Sequence, residues 1–287
     1  MGGAIFVPRN YPQPLWKGEP ISERILFVHA EQGFGDAIQF VRFVRPARQR
    51  AAQVILECPP ALRRLFDHSE CADTLITLGQ PPPHFDTYAP LMSLPGIFKT
   101  TLETIPCPTP YLKSPPDDSA VTAPANRLKV GLTWAGSATH DHDALRSIPF
   151  QELAPILRTS GTTFFSLQLP LSESDEAKLR AVPNLVDASG PLKDFGHTAA
   201  VIAQMDLVIT VDTAVAHLAG ALNKPTWTLL QHAPDWRWFL ERSDTPWYPS
   251  MRLFRQSVRG DWNDPIQQIT AALKELVLNR ERTQRSE

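Results

Sequence analysis

Three short segments hold residue types that phosphate and sugar chemistry would need. Gly33-Phe34-Gly35-Asp36 places two glycines and a carboxylate within four residues. Glycines let a chain turn tightly and approach a ligand, and a helix opening there favours an anion. Asp36 is then either a partner of that helix N-terminus or a general base taking a proton from an attacking hydroxyl. Asp212-Thr213-Ala214-Val215-Ala216-His217 offers two capping side chains, freed amides and, one turn beyond Thr213, an imidazole. His217 also suits a core position with a hydrogen-bonding neighbour. Trp134-Ala135-Gly136-Ser137 is a turn of small residues behind an indole, and Arg146 follows closely enough to neutralise a phosphate or to sit on the surface.

Elements must hold these segments in place. The apolar runs 25–30, 54–56 and 74–78 read as strands buried on both faces, with helices expected at 37–50 and 59–66. A second series has strands at 128–134, 163–167, 207–211 and 225–230. Its helices are expected at 173–181, 195–205 and 214–222, with an amphipathic terminal helix at 264–279. Six prolines fall within 105–125, between the two series. The pattern predicts an α/β chain of two Rossmann-like, doubly wound parallel-sheet halves facing a cleft, 1–110 and 127–287, joined by a Pro-rich linker at 111–126. Ligands of open parallel sheets bind at the carboxyl ends of the strands, where all three segments fall.

Composition narrows the function classes. The 287 residues carry 28 Lys plus Arg against 30 Asp plus Glu, a net charge of −2, without the basic surplus of a nucleic-acid binder. No apolar run approaches the ~18 residues of a membrane span, and the first residues do not read as a signal peptide. Cys58, Cys71 and Cys107 make neither a disulfide framework nor a zinc cage, so reduced thiols in a cytoplasm are expected. Asp141-His142-Asp143 with His140 has a D-x-D form, but no nearby cysteine or glutamate completes a ligand set, so no metal is expected. The Gly33–Gly35 spacing is a partial dinucleotide fingerprint, with Ile38 at the third glycine position and Glu57 where a ribose-binding acid would stand. Five of the seven tryptophans lie between 227 and 262; most are expected to pack against the last helix, a few to line a sugar or base site.

The stretches HAEQGFGDAIQFVRF, GLTWAGS with RSIPF, SLQ, MDLVITVDTAVAHLAGALNKPTW, APDWRWFL and DTPWYPS cover most of residues 11–275. They resemble the heptosyltransferase-type glycosyltransferases, family 9, and more closely the module that follows tetratricopeptide repeats in many bacterial proteins. The resemblance implies a GT-B fold with acceptor bound mainly by 1–110 and nucleotide-sugar by 127–287. It implies an inverting, metal-independent transfer with a nucleotide-diphosphate sugar as co-substrate. Asp36 matches the catalytic base, following the glycine turn of Gly33 and Gly35. Asp212, Thr213, Ala214 and His217 match the donor motif, with amides of Thr213 and Ala214 on the diphosphate and Asp212 on sugar hydroxyls. Trp134, Gly136 and Ser137 match the diphosphate-side turn, and Ser166 to Gln168 a donor-side strand end. Arg146 stands where the family usually has a lysine. The acceptor is a glycan, lipid-linked or protein hydroxyl, with peripheral membrane contact left open and no nucleic acid involved. A degenerate binding module and another sugar-nucleotide enzyme are the alternatives, since a fold does not fix a function.

Overall fold

The computed structural model describes residues 9, 11–106, 109–116, 121–137, 143–190 and 192–284. Its first sheet contains β1 (Ile21–His29), β2 (Ala51–Cys58), β3 (Thr74–Thr77) and β4 (Thr87–Pro90), all parallel, in the order β3-β2-β1-β4. Leu26 and Val28 turn to one face of β1 and join the large core; Phe27 turns to the other, with Ile55, Ile76, Phe85 and Tyr88. The two faces are therefore both buried, which is why the run 25–30 is apolar without alternation.

The helix expected at 37–50 is broken. It is α1 (Phe34–Phe40), one 3-10 turn (Val41–Phe43) and α2 (Val44–Arg48). Pro46 supplies the reason: it has no N–H for the carbonyl of Arg42, and its ring crowds that carbonyl. Two further short helices complete this half, α3 (Arg63–His68) and α4 (Leu94–Ile97).

The second sheet has six parallel strands: β5 (Leu128–Thr133), β6 (Thr162–Ser166), β7 (Leu185–Asp187), β8 (Leu207–Val211), β9 (Thr226–Leu230) and β10 (Met251–Arg255). Their order is β10-β9-β8-β5-β6-β7. This is the doubly wound order in which the chain reverses direction between two central strands, here β5 and β8. Its helices are α5 (Asp143–Arg146), α6 (Ala154–Leu157), α7 (Glu173–Arg180), α8 (Phe195–Ala203), α9 (Ala214–Ala221) and α10 (Asn263–Gln284). The sequence pattern did not reveal β4, β7 or β10, each a short strand at a sheet edge.

The described part of the Pro-rich segment is tied to both halves: on the first side Lys113 donates its N–H to Ser69 Oγ at 2.9 Å and Arg64 Nη2 donates to the Pro116 carbonyl at 2.9 Å. Tyr111 and Leu112 both donate their N–H to the Ala221 carbonyl, at 3.1 and 3.4 Å, and Leu112 is fully buried. Cys107, Asp117, Asp118 and Ser119 lie outside the described residues. One buried cluster runs across both halves, taking in Ala37 and Ile38 from α1 and Ala216 and Leu218 from α9. Among the described residues no helix is long and apolar enough to cross a membrane.

Candidate active site

The strand ends at the reversal point carry two of the three segments. Trp134 follows β5; its ring is buried edge-on against Phe150, with centroids 5.1 Å apart. Gln168, just past β6, accepts the N–H of Trp134 at 3.1 Å and of Ala135 at 2.9 Å. The Gln168 carbonyl therefore shapes the turn. Gly136 donates its N–H to Ser147 Oγ at 3.1 Å, and Ser147 in turn donates to Asp143 Oδ2 at 3.0 Å. Arg146 Nε donates to Asp143 Oδ1 at 3.1 Å and Nη1 to the Asp212 carbonyl at 2.9 Å. The guanidinium thus ties the two strand ends together. A Cβ at Gly136 would overlap both Asp143 Oδ1 and that guanidinium, so a side chain there must displace them. Ser137 lies exposed at the end of the turn.

Asp212 and Thr213 lead from β8 into α9. Thr213 is the N-cap in extended backbone (φ −141°, ψ 173°), and its hydroxyl makes no capping bond, lying 3.3 Å from Thr210 Oγ1 instead. The first amides of α9 have no partner within the helix, so Ala214 and Val215 present N–H groups and the positive end of the helix dipole. The partly buried Asp212 carboxyl is pushed up to about 6, first by burial and also by the neighbouring Asp235; the Trp238 indole, Arg146 and Arg237 oppose the shift.

The first segment meets the third. Asp36 is the third residue of α1, and its Oδ2 accepts the N–H of Gly33 at 3.0 Å. Its Oδ1 accepts from Arg237 Nη2, a residue of the second half. Gly35 lies against α9: a Cβ there would stand 2.8 Å from His217 Cδ2 and 3.6 Å from Ala214 Cα. The N-termini of α1 and α9 therefore abut. Glu31, whose carboxyl burial raises, stands near Asp36 and accepts the N–H of Met92 at 3.0 Å.

The predicted residues divide into two groups. Gly136, Arg146, Asp212, Thr213 and Ala214 gather at the strand ends of the second half, with Ser137 exposed beside them, and Asp36 joins them from the first half through Arg237. His217 is a buried packing residue: its Nδ1 is 2.9 Å from Tyr248 Oη and its ring stacks on Trp238 at 5.3 Å. Burial and the nearby arginines Arg237, Arg42 and Arg146 hold it neutral, well below the usual histidine range. Gly35 serves the close approach of α1 to that ring, and Trp134 and Gln168 brace the turn from inside the fold. Trp236, Trp238 and Trp247 pack around α1, His217 and Tyr248, while Trp262, buried, and Trp227, partly buried, lie in the cluster of α10. Glu57 is buried at the end of β2 and pairs with Arg9 at 2.6 Å. His140, Asp141 and His142 lie outside the described residues, and among the described ones no three His, Cys, Asp or Glu side chains cluster as metal ligands would.

Sequence reasoning missed Arg237 and Gln39. Arg237 was visible only as one cation in an aromatic-rich stretch. Gln39, one turn after Asp36, was visible only as a polar residue on an apolar face.

Residues 142–257 match the model of glycosyltransferase family 9 (heptosyltransferase). The glycosyl transferase family 9 structure from Veillonella parvula superposes with a TM-score of 0.61 at 12% identity, covering 92% of this chain and 100% of that one. The E. coli ADP-heptose LPS heptosyltransferase II gives 0.59 at 14% identity, covering 89% and 99%. The fold is GT-B. The solved structures show the fold, and the family model over residues 142–257 is that of a glycosyltransferase family. The Protein FlbA of Caulobacter vibrioides is 27% identical over 296 residues, which cover 92% of this chain and 48% of FlbA. The chain thus spans about half the length of that curated relative. The family match takes in Arg146, Asp212 and Arg237; Asp36 and Trp134 lie before it.

Proposed function

We propose that this chain transfers a sugar from a nucleoside-diphosphate sugar to an acceptor hydroxyl, with inversion and without a metal ion. One observation carries the reading: the N-terminus of α9, with Arg146 beside it, abuts the N-terminus of α1, so an anion site and a carboxylate base share one cleft. An adenosine diphosphate sugar is the donor favoured by the likeness to an ADP-heptose heptosyltransferase.

The reaction is a single displacement. Asp36 takes the proton of the acceptor hydroxyl as its oxygen attacks the anomeric carbon. The bond from that carbon to the phosphate oxygen breaks, and the diphosphate leaves with the electron pair. Its charge is received by the amides of Ala214 and Val215 and by the Arg146 guanidinium. Asp212, protonated more readily than an ordinary carboxyl, is the group we assign to the sugar hydroxyls. Attack from the face opposite the leaving group inverts the anomeric centre. The acceptor is a hydroxyl of a glycan, a lipid-linked saccharide or a protein. Burial pushes the Cys58 thiol up to about 11 and the Cys71 thiol up to about 12, so both stay protonated.

Asp36→Asn tests the base. It keeps the side chain's shape but removes its ability to take a proton, so turnover is expected to fall by at least 10²-fold, the usual range for a general base, with diphosphate affinity nearly unchanged. A variant that transfers sugar at the full rate would show that another group is the base.

A further inference from the structure

The displacement above gives Arg237 no task, yet its contacts are the most specific link between the two halves at the cleft. The guanidinium spends each of its three nitrogens on a different protein oxygen. Nε donates to Gln39 Oε1 at 2.5 Å, Nη1 to Asp235 Oδ1 at 2.8 Å and Nη2 to Asp36 Oδ1. The plane is held between the rings of Trp236, 5.0 Å from its centre, and Phe40, at 5.5 Å. Asp235 also caps the turn from which Arg237 projects, accepting its backbone N–H at 3.1 Å. A planar fork held this way has one orientation.

Two further observations concern the base itself. The bond from Gly33 N–H to Asp36 Oδ2 is local, the kind any acidic residue makes in the first turn of a helix. The bond to Oδ1 comes from 201 residues away and from the other half of the fold. Gln39 lies one turn after Asp36, fully buried, with its Nε2 lacking any partner. An amide half-satisfied in the interior destabilises the fold, and what its other half does is hold Arg237.

We infer that Arg237 is a positioning residue: reaching across the cleft, it orients the Asp36 carboxylate, so that the base is aligned only when the two halves are closed. The inference rests on the reading of Asp36 as the base. A base oriented by a third group is a recurrent arrangement, and misplacing reacting atoms by about 1 Å costs roughly 10²-fold in rate.

The test compares Arg237→Gln and Arg237→Lys in the wild-type and Asp36→Asn backgrounds. The readouts are ADP affinity by calorimetry, turnover of a panel of nucleotide sugars by diphosphate release, and the radius of gyration in solution. With Asp36 intact, Arg237→Gln is expected to lower kcat by roughly 10²-fold, with ADP affinity held within about threefold. Lysine, lacking the fork, is expected to restore little. In the Asp36→Asn background the same substitution is expected to cost nothing more. Equal losses in both backgrounds would overturn the inference, and so would a tenfold weakening of ADP binding, which would make Arg237 a diphosphate ligand. Should Arg237→Gln fail to fold, Gln39→Ala loosens the same guanidinium and is expected to show the same dependence on Asp36. If the wild type turns over no nucleotide sugar, the functional reading fails on its own. The cross-cleft role is then decided by scattering, where Arg237→Gln is expected to be more open than the wild type and an unchanged radius would refute it.

Discussion

Gly35→Ala separates two readings of the glycine turn. If Gly35 exists to let a phosphate approach the backbone, alanine should weaken nucleotide binding and leave stability alone. The structure gives it another task. The added Cβ would sit 2.8 Å from Cδ2 of His217, against about 3.5–4.0 Å for relaxed carbon contact. The imidazole cannot withdraw: it is buried, its Nδ1 is engaged by Tyr248 at 2.9 Å, and its face is stacked on Trp238. The α1 helix must therefore move away from α9. Overpacking of this kind costs about 1–3 kcal/mol. Alanine recovers about 1 kcal/mol as the better helix former, which leaves a net loss of about 0–2 kcal/mol. For a chain of this size that lowers Tm by up to roughly 8 °C. The assay is a double-mutant cycle in thermal denaturation, with Gly35→Ala made in wild-type and His217→Ala backgrounds. Removing the imidazole is expected to abolish most of the Gly35→Ala penalty. A penalty of equal size in both backgrounds would refute the packing argument.

Two further predictions concern the donor side. Asp212 has its folded carboxyl raised from 3.8 to about 6, so its contribution to stability is fully present below pH 3.8 and is lost as pH rises through about 6. Asp212→Asn, which never ionises, should match the wild type in stability near pH 4 and exceed it above pH 6 by up to about 3 kcal/mol, as read from Tm across a pH series; a constant offset would contradict the raised carboxyl. Gly136→Ala should displace the Arg146 guanidinium from the strand ends and weaken ADP binding at least fivefold by calorimetry while the protein stays folded. Unchanged affinity would mean that the guanidinium does not depend on this turn.

Local signals made the central elements legible. The run LVITV followed by Asp-Thr and small apolar residues marks β8 and α9 because burial on both faces and helix capping are both written within a dozen residues. Three of the four edge strands were not legible: β4 ends in Pro90, β7 has three residues, and β10 carries Arg252 and Arg255 among its apolar positions. Such strands owe their existence to pairing on one side with a distant neighbour, and short edge segments carry weak propensity. Of the residues proposed for the site, Asp36, Asp212 and Thr213 stood out in the sequence because helix starts use recognisable residue types. Arg237 did not, since its partners Asp36 and Gln39 are some two hundred residues away and no local pattern encodes them. His217 misled for the same reason: one turn beyond Thr213 it lies on the ligand side in sequence terms, and only Tyr248 and Trp238 show that it faces the core.

The central claim is that the α9 N-terminus and Arg146 form a nucleoside-diphosphate site that works without a metal ion. Calorimetric titration of the chain with ADP, UDP, GDP and CDP, each in the presence of EDTA, tests it most directly. The account predicts micromolar binding of one diphosphate, ADP, at a stoichiometry of one, with affinity at least tenfold weaker in Arg146→Ala. Absence of binding by all four, or binding that EDTA abolishes, would contradict it.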